Sequence, residues 1–275
     1  MRFYTKMILM LHKKTTFGTN LCSSTILVCT ALSDIGVSRE LNEDAYITSV
    51  DTSSGHALLV VADGMGGYAD GDVASNLAVN LLRDKWSKGR LGKNKHLIRA
   101  YRKIDSNIYR QLQENKGGTT CTVALIESST MIVANIGDSR AYLLRNEKLS
   151  RLTKDDSFVQ SLVDRGRISE VDALVHPKRN VILKSLGSGE RHEPSISEVS
   201  LLTGDLIMLC SDGLCGVLSD EELKSLLIAG LTGVERATDT TAALDKLCQT
   251  LITIAIGAGS TDNITVVLAL VASRS

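Results

Sequence analysis

The apolar positions of the chain follow two different periods, and each period predicts a different kind of element. Seven short runs are rich in Val, Ile, Leu and Thr and are bounded by Gly, Asp, Asn or Ser, a pattern typical of β-strands. These runs are residues 25–32, 57–62, 119–126, 131–136, 141–145, 206–210 and 264–271. They predict a protein whose core is built largely from strands.

A second set of segments repeats its apolar residues at helical spacing. In residues 71–86 and 241–256 the apolar positions recur at steps of one and three, which places them on one face of a helix. A third helix is predicted to begin at LSDEEL, where Ser219 can cap the helix and Glu222 can complete a capping box. Residues 95–114 predict a fourth helix.

Strands and helices follow each other in blocks rather than one by one. This order favours an α+β fold with largely antiparallel sheets and with helices segregated on the outside. No repeat or low-complexity tract divides the chain, so we expect a single domain over residues 25–275. Residues 1–24 are expected to form a poorly ordered or loosely docked tail, as chain termini usually do. Their apolar patch, residues 7–11, ends at a basic stretch and is too short to span a membrane.

Charge and cysteine content narrow the class of protein. The 275 residues include 31 Lys and Arg and 31 Asp and Glu, so no net charge directs the chain to nucleic acid or to a membrane surface. The six cysteines form no CxxC pair, and four of them lie in apolar runs or on an apolar helix face. They predict reduced core thiols in a cytoplasmic protein rather than disulfides.

Several acidic residues stand where an apolar run meets a turn. They are Glu43, Asp44, Asp63, Asp212 and Asp262. An unpaired buried carboxylate is costly, so acids from distant segments can share a hard cation such as Mg²⁺ or Mn²⁺. Gly64, which follows Asp63, leaves its own carbonyl open to such a cation because it has no side chain. Each acid taken alone is better explained as a turn residue, because Asp-Gly and Ser-Asp-Gly are frequent in turns.

Eight longer motifs occur in order along the chain. They are SDIGVSRELNEDAY, VVADGMGG, GGTTCTVALI, ANIGDSRAYLLRN, LTKDDSFVQSLVDRGRIS, HPKRNVILKSLG, LCSDGL and STDNITVVL. With these motifs the chain closely resembles the metal-dependent protein Ser/Thr phosphatases of the PPM (type 2C) family, in their compact bacterial form. The resemblance extends from about residue 32 to residue 271. DGMGG or GDSR alone would be a weak signal, whereas eight ordered motifs are specific.

The resemblance implies a four-layer αββα sandwich, in which two central antiparallel sheets are flanked by pairs of helices. It also implies two Mn²⁺ or Mg²⁺ ions in the active site and a third, weaker ion. In the implied site, Asp63 bridges both ions, the Gly64 carbonyl binds one ion, and Asp212 and Asp262 bind the other. Glu43 and Asp44 lie close by and act directly or through metal-bound water. Asp138 would bind the third ion with Asp212, with Asn180 as a further contributor, and Arg39 would bind the substrate phosphate.

The activity implied by the resemblance is hydrolysis of phosphoserine and phosphothreonine in proteins by direct attack of a water or hydroxide that bridges the two metal ions. Asp63 and Arg39 are the implied catalytic residues, and Arg39 can fork two hydrogen bonds onto the phosphate. The implied partners are phosphorylated proteins and a cognate Ser/Thr kinase in signal transduction. We expect a monomer that binds neither nucleic acid nor membrane.

Some positions leave roles open. Met65 stands where some family members carry a His that can serve as general acid, so protonation of the leaving group is left to metal-bound water or to another residue. Residues 153–188 correspond to the family's flap beside the site. Within the flap, Asp155 and Asp156 either touch metal or substrate or, as we prefer, lie at a solvated helix N-terminus. Arg140 of GDSR is expected to support the site rather than to bind substrate.

Two other classes of function are alternatives to a protein phosphatase. A fold that binds phosphorylated partners without turnover would be favoured if the acids at positions 63, 212 or 262 were lost, and all three are present. A metal phosphohydrolase for small molecules requires the same residues, so that only substrate profiling separates it from a protein phosphatase.

Overall fold

The strands form two antiparallel sheets in the part of the chain that the structure describes. The structure is a computed structural model, and it describes residues 16–22, 25–51, 54–66, 70–92, 94–112, 117–235 and 237–273. In spatial order, the first sheet contains β1 (Thr16–Cys22), β2 (Thr25–Asp34), β12 (Ile264–Ser273), β11 (Leu206–Cys210), β8 (Arg140–Arg145) and β9 (Lys148–Arg151). The second contains β10 (Ser195–Ser200), β7 (Thr130–Ile136), β6 (Cys121–Glu127), β4 (His56–Met65) and β3 (Asp44–Asp51), with β5 (Gly118–Thr119) paired to the end of β4.

The helices lie in three groups along the chain, separated by strands. They are α1 (Gly71–Ser87), α2 (Asn94–Gln111), α3 (Phe158–Asp164), α4 (Glu170–Val175), α5 (Asp212–Cys215), α6 (Asp220–Glu235) and α7 (Thr240–Gly257). Both α1 and α2 pack on the second sheet, whereas α6 and α7 pack on the first. No helix among the described residues combines the length and the hydropathy that a membrane crossing requires.

Alternation along the strands produces three layers of core. On β4, Leu59 and Val61 point between the sheets, whereas Leu58 and Val60 point towards α1 and α2. Strand β12 behaves in the same way, with alternate residues facing the other sheet or α6 and α7. Because both faces of these strands are buried, their sequences read as continuous apolar runs. The expected four-layer αββα sandwich is therefore confirmed.

The boundaries of the longer elements agree with the sequence prediction to within about three residues, which is the usual uncertainty of helix and strand ends. One difference concerns the predicted tail, residues 1–24, because Thr16–Cys22 pairs with β2 as an edge strand of the first sheet. The remainder of that tail, residues 1–15 and 23–24, lies outside the described residues. Strands β3, β9 and β10 and helix α4 were also not predicted. Cys29, Cys121, Cys210, Cys215 and Cys248 are buried and outside any disulfide, as expected of reduced core thiols.

Candidate active site

Asp44 and Asp63 face each other where β3 and β4 meet at one end of the second sheet. They are register partners across the two strands. Asp44 Oδ2 accepts hydrogen bonds from Ser211 Oγ at 2.8 Å and Thr265 Oγ1 at 2.6 Å, both of which belong to the first sheet or its end. Its other oxygen, Oδ1, is buried and has no hydrogen-bond partner among the described residues. One half of this carboxylate therefore joins the two sheets, and the other half is left to bind a ligand.

Two glycines let three backbone segments converge beside Asp63. The Gly64 N–H donates to the Glu43 carbonyl at 3.1 Å, and a Cβ on Gly64 would lie only 2.1 Å from the carbonyl oxygen of Gly71. Gly71 begins α1, and its N–H lies close enough to the Glu43 carboxylate to oppose the rise of that group's pKa on burial. A Cβ on Gly71 would lie 2.3 Å from Glu43 Oε1. The N-terminus of α1 can hold Glu43 in the site only because position 71 has no side chain.

Arg39 and Asp262 meet at the open side of the same group. Arg39 Nη2 donates to Asp262 Oδ2 at 2.7 Å, and Nη1 lies 3.6 Å from Glu43 Oε2. Neighbouring Asn263 fixes the Arg39 loop, since its side chain donates to two backbone carbonyls of that loop and accepts the Glu43 N–H at 2.8 Å. The Arg39 side chain is 44% exposed, so a cationic group stands at the mouth of an acidic site.

Asp212 and Asp138 complete the group from the first sheet. Asp212 begins the short helix α5, and its carboxyl group lies close enough to that of Asp63 for its charge to raise the pKa of Asp63. Asp138 lies in the turn before β8, close enough to Asp212 for their charges to interact. In each of these two acids the Oδ1 atom is buried without a partner in the described structure. The structure therefore brings together all the residues that the sequence assigned to the two principal metal ions, to the phosphate and to the third ion's acids.

The acids of this group resist ionisation. Burial, followed by the negative charges of Asp44 and Asp212, raises the pKa of Asp63 well above its usual range. Burial raises the pKa of Asp44 to about 7, although its hydrogen bonds act in the opposite direction. Burial is likewise the main cause that raises the pKa values of Glu43, Asp138 and Asp212. Crowded carboxylates of this kind are stabilised in the ionised form by nearby cations.

Hydroxyl groups that the sequence analysis did not assign hold the acids in place. The Asp63 N–H donates to Thr120 Oγ1 at 2.9 Å, and Thr119 Oγ1 donates to the Asp63 carbonyl at 2.9 Å. Thr120 Oγ1 also lies 2.8 Å from Ser139 Oγ, which is next to Asp138. The GGTT and GDSR motifs are thereby joined beneath the site. In the sequence, Ser139 next to Asp138 was the available signal for this role, whereas Thr119 and Thr120 have no acidic neighbour along the chain.

The start of the flap does not match the predicted solvated helix N-terminus, and that prediction was wrong. Asp155 is buried and accepts hydrogen bonds from Arg140, whereas Asp156 accepts the Gly137 N–H at 3.2 Å and binds Lys184 Nζ at 2.5 Å. The cap of α3 is Ser157, whose side chain accepts the backbone N–H of the third helical residue. The hairpin of β8 and β9 folds this segment back onto the GDSR motif, which is why Asp155 is not solvated.

A narrow cavity of ≈ 70 Å³ separates the flap from the site. Asp138, Asp212 and Asn180 line it, together with Arg140 and Asp155. Asn180, which the resemblance implies as a further contributor to a third ion, therefore lies on the flap side of the cavity that Asp138 and Asp212 line.

The donor set fits hard divalent cations. It consists of carboxylates and a backbone carbonyl, and within the described part of the chain the buried side-chain oxygens without partners belong to Asp44, Asp138 and Asp212. Within the described residues, no three Asp, Glu, His or Cys side chains already form a closed metal-binding group. Arg39 and the hydroxyl groups bind the acids separately, so the carboxylates do not gather into one closed group. Bound cations would offset the repulsion between the carboxylates and allow them to lie closer together.

Known proteins are similar to this chain in both sequence and fold. The sequence model of the family described as Protein phosphatase 2C matches residues 38–264. The serine/threonine phosphatase stp of Listeria monocytogenes is 35% identical over 250 residues, which cover 86% of this chain and 92% of that protein. The crystal structure of the Mycobacterium tuberculosis phosphatase PstP/Ppp superposes with a TM-score of 0.75 at 36% identity, covering 90% of this chain and 99% of that one.

A further solved structure, a PstP catalytic domain in complex with two manganese ions, matches with a TM-score of 0.74 at 35% identity. It covers 90% of this chain and 99% of that chain. The family match spans well over half of the sequence, and it includes the segments that supply the clustered acids. The chain belongs to the protein phosphatase 2C family, a family of phosphatase enzymes.

Proposed function

We propose that this protein is a metal-dependent phosphoprotein phosphatase that hydrolyses phosphoserine and phosphothreonine with water as the direct nucleophile. The observation that carries the proposal is the convergence of Asp63 with the acids around it, Asp44 as its register partner and Asp212 and Asp262 close enough for their charges to act on it, with Arg39 bound to Asp262 at the mouth of the same site. The proposed ligands of two Mn²⁺ or Mg²⁺ ions are Asp63, the Gly64 carbonyl, Asp212 and Asp262, with Glu43 and Asp44 beside them. Asp138 is proposed to join Asp212 on a third, weaker ion.

The charge balance of the site supports divalent cations. Six carboxylates lie together, whereas the positive groups beside them are Arg39 and Arg140, and Arg140 is already paired with Asp155. The buried carboxylates must therefore either be protonated or be neutralised by bound cations. When two divalent cations are bound, they neutralise the phosphate dianion and lower the pKa of a water molecule enough to provide the nucleophile near neutral pH.

The chain's own groups position the substrate around that chemistry. Arg39 has five N–H donors, and Asp262 accepts one hydrogen bond from its Nη2 group, so the guanidinium can also orient the phosphate oxygens. Asp63 is fixed at both its N–H and its carbonyl by Thr120 and Thr119, which prevents its carboxylate from drifting during turnover. Neither a thiol nor a Ser is required as a nucleophile, and the five cysteines whose burial the structure describes are buried.

The test is hydrolysis of a phosphothreonine peptide by the metal-stripped protein, with and without millimolar Mn²⁺. We expect activity only with the metal. Asp63→Asn and Asp262→Asn should each lower kcat/KM by about 100-fold or more, since even groups behind the metal ligands are typically worth 10–100-fold. Asp84→Asn, on the exposed face of α1, is the matched control and should retain full activity.

Other outcomes would select the alternatives. A folded wild type that is inactive with both metals on phosphopeptides and aryl phosphates would overturn the enzyme proposal in favour of phosphoprotein binding. Turnover of small phosphate esters with negligible turnover of phosphopeptides would indicate a small-molecule phosphohydrolase. The proposed cytoplasmic location, cognate kinase and monomeric state each need a separate experiment.

A further inference from the structure

Arg140 has an unusual number of partners for a nearly buried cation. Its side chain is 14% exposed, and it donates to both oxygens of Asp155, from Nε at 3.0 and 3.1 Å and from Nη2 at 2.7 Å. Asp155 is 7% exposed and lies at the start of the flap. A planar guanidinium that binds a carboxylate through two nitrogens fixes direction as well as distance. The flap is thus attached to the end of β8 in one orientation.

The third nitrogen of the same guanidinium, Nη1, contacts α5 and the start of α6. Arg140 Nη1 donates to Tyr142 Oη at 3.1 Å and to the Cys215 carbonyl at 3.5 Å, and lies 3.5 Å from Asp220 Oδ1. Tyr142 Oη donates in turn to Asp220 at 2.8 Å. Cys215 is the last residue of α5, the four-residue helix that Asp212 begins. One side chain therefore contacts β8, the flap, α5 and the start of α6.

These contacts surround two acids of the proposed metal site. Asp138 is two residues before Arg140, Asp212 is three residues before Cys215, and both acids line the cavity that Arg140 and Asp155 also line. Asp138 and Asp212 repel each other, and each has a buried oxygen without a partner in the described residues. The Arg140 guanidinium can hold these two acids at a fixed separation, because it binds Asp155 of the flap on one side and the Cys215 carbonyl of α5 on the other.

We propose that Arg140 is a positioning residue, which fixes the separation of Asp138 and Asp212 and holds the flap over them through its fork to Asp155. Arg140 contacts neither substrate nor metal in this role and acts only through its neighbours. The inference rests on the proposed function for its activity readout alone, because the attachment of the flap can be measured in the metal-free protein.

The first experiment uses Arg140→Lys, which keeps the charge and removes the planar fork. Hydrogen–deuterium exchange of the metal-free, full-length protein should show faster exchange in residues 153–165, where the flap begins. Mn²⁺ titration by calorimetry should show at least one site weakened by about 10–100-fold, the usual loss when a group that orients metal ligands is removed. In the activity assay, the Mn²⁺ concentration for half-maximal rate should rise by a similar factor.

The chain offers a closely matched control at the other end of β8. Arg145 donates from Nε and Nη2 to the two oxygens of Asp205, at 2.7 and 2.6 Å, far from the clustered acids. Arg145→Lys should lower thermal stability to a comparable degree. It should leave the exchange of the flap and the Mn²⁺ titration unchanged, since none of its partners belongs to the site.

Each result decides the proposal. Equal effects of Arg140→Lys and Arg145→Lys on flap exchange and on Mn²⁺ affinity would overturn it, because Arg140 would then be a general structural residue. If Arg140→Lys does not fold, Asp155→Asn tests the same fork from the other side and should reproduce the faster flap exchange and the weaker Mn²⁺ binding. An inactive wild type would count against the proposed phosphatase function, whereas an unchanged flap in Asp155→Asn would count against Arg140 alone.

Discussion

At the scale of single residues, the two glycines near Asp63 do different things, although the motif makes them look alike. The space that a Gly64 side chain would need is filled by backbone, with the Gly71 and Glu43 carbonyl oxygens 2.1 and 2.5 Å from an added Cβ. The nearest atoms beside Gly71 belong instead to the end of the Glu43 side chain, with Oε1 and Cδ 2.3 and 2.8 Å from an added Cβ, and the carbonyl carbon of Gly64 follows at 3.0 Å. Backbone cannot move aside cheaply, whereas a carboxylate at the end of a side chain can.

This difference predicts that alanine separates stability from activity at the two positions. Gly64→Ala should lower the free energy of unfolding by about 1–3 kcal/mol, the usual cost of overpacking. Gly71→Ala should change it by less than about 1 kcal/mol, since alanine suits a helix, but should displace Glu43 and lower Mn²⁺-dependent hydrolysis by about 10-fold or more. Urea unfolding of the metal-free variants and peptide hydrolysis measure the two effects.

Gly233→Ala serves as the control for these substitutions. Gly233 lies in α6, and no atom lies within 4 Å of a Cβ added there. This variant should be unchanged or slightly more stable, with wild-type activity. Full activity in Gly71→Ala would show that the site does not need Glu43 where the structure holds it.

At the scale of elements, the start of α6 was predicted in detail from six residues. In the structure the Glu222 N–H donates to Ser219 Oγ at 3.3 Å, and the Ser219 N–H donates to Glu222 Oε2 at 2.8 Å, which is the expected capping box. These bonds satisfy two of the backbone donors that a helix leaves open at its N-terminus. The interaction is local and exposed, so it should contribute to stability without influencing the chemistry.

Ser219→Ala should therefore lower the free energy of unfolding by about 1 kcal/mol, the typical value of an N-cap. Activity at saturating Mn²⁺ should stay at the wild-type level. Ser225→Ala is the matched control, because Ser225 lies further along the same helix and its hydroxyl only donates to the Glu221 carbonyl. A smaller loss for Ser219→Ala than for Ser225→Ala in urea unfolding would contradict the importance of the cap.

The elements that the sequence did not predict share a physical reason. Strand β10, SISEVS, is mostly exposed or half-buried at an edge, and β9 is a four-residue hairpin strand, so neither carries a run of apolar residues. Strand β3 begins with Asp44, which belongs to the site and interrupts the strand pattern. Periodicity detects elements that bury a face, whereas these strands are held by pairing with distant segments.

At the scale of the whole molecule, the site depends on the alignment of two sheets. The motifs identified its acids and Arg39, because each lies at a turn that ends or begins an apolar strand. They did not identify the partners of Arg140, since Asp155, Tyr142 and Cys215 become neighbours only after three separate segments fold together. Contacts of this kind depend on tertiary geometry, and no local pattern in the sequence encodes them.

The crowding of acids across the two sheets also predicts how the stability of the whole protein depends on pH and metal. Burial raises the pKa of Asp44 to about 7, from its ordinary value of 3.8, so the folded protein binds more protons than the unfolded chain between these values. The free energy of unfolding contributed by this group is therefore largest below pH 3.8 and is lost as pH rises towards 7. Asp63, Asp138 and Asp212 are shifted in the same direction.

The metal-free protein should consequently melt at a lower temperature at about pH 7.5 than at about pH 5, with a loss on the order of a few kcal/mol. Mn²⁺ binds ionised carboxylates, so it should raise the melting temperature more at the higher pH than at the lower. Asp44→Asn removes the best-defined of these groups and should flatten the pH dependence of the metal-free protein. Two results would contradict this prediction: a melting temperature of the metal-free protein that rises from pH 5 to pH 7.5, or an equal effect of Mn²⁺ at both pH values. Either would show that ionisation of the buried acids does not lower the stability of the metal-free protein.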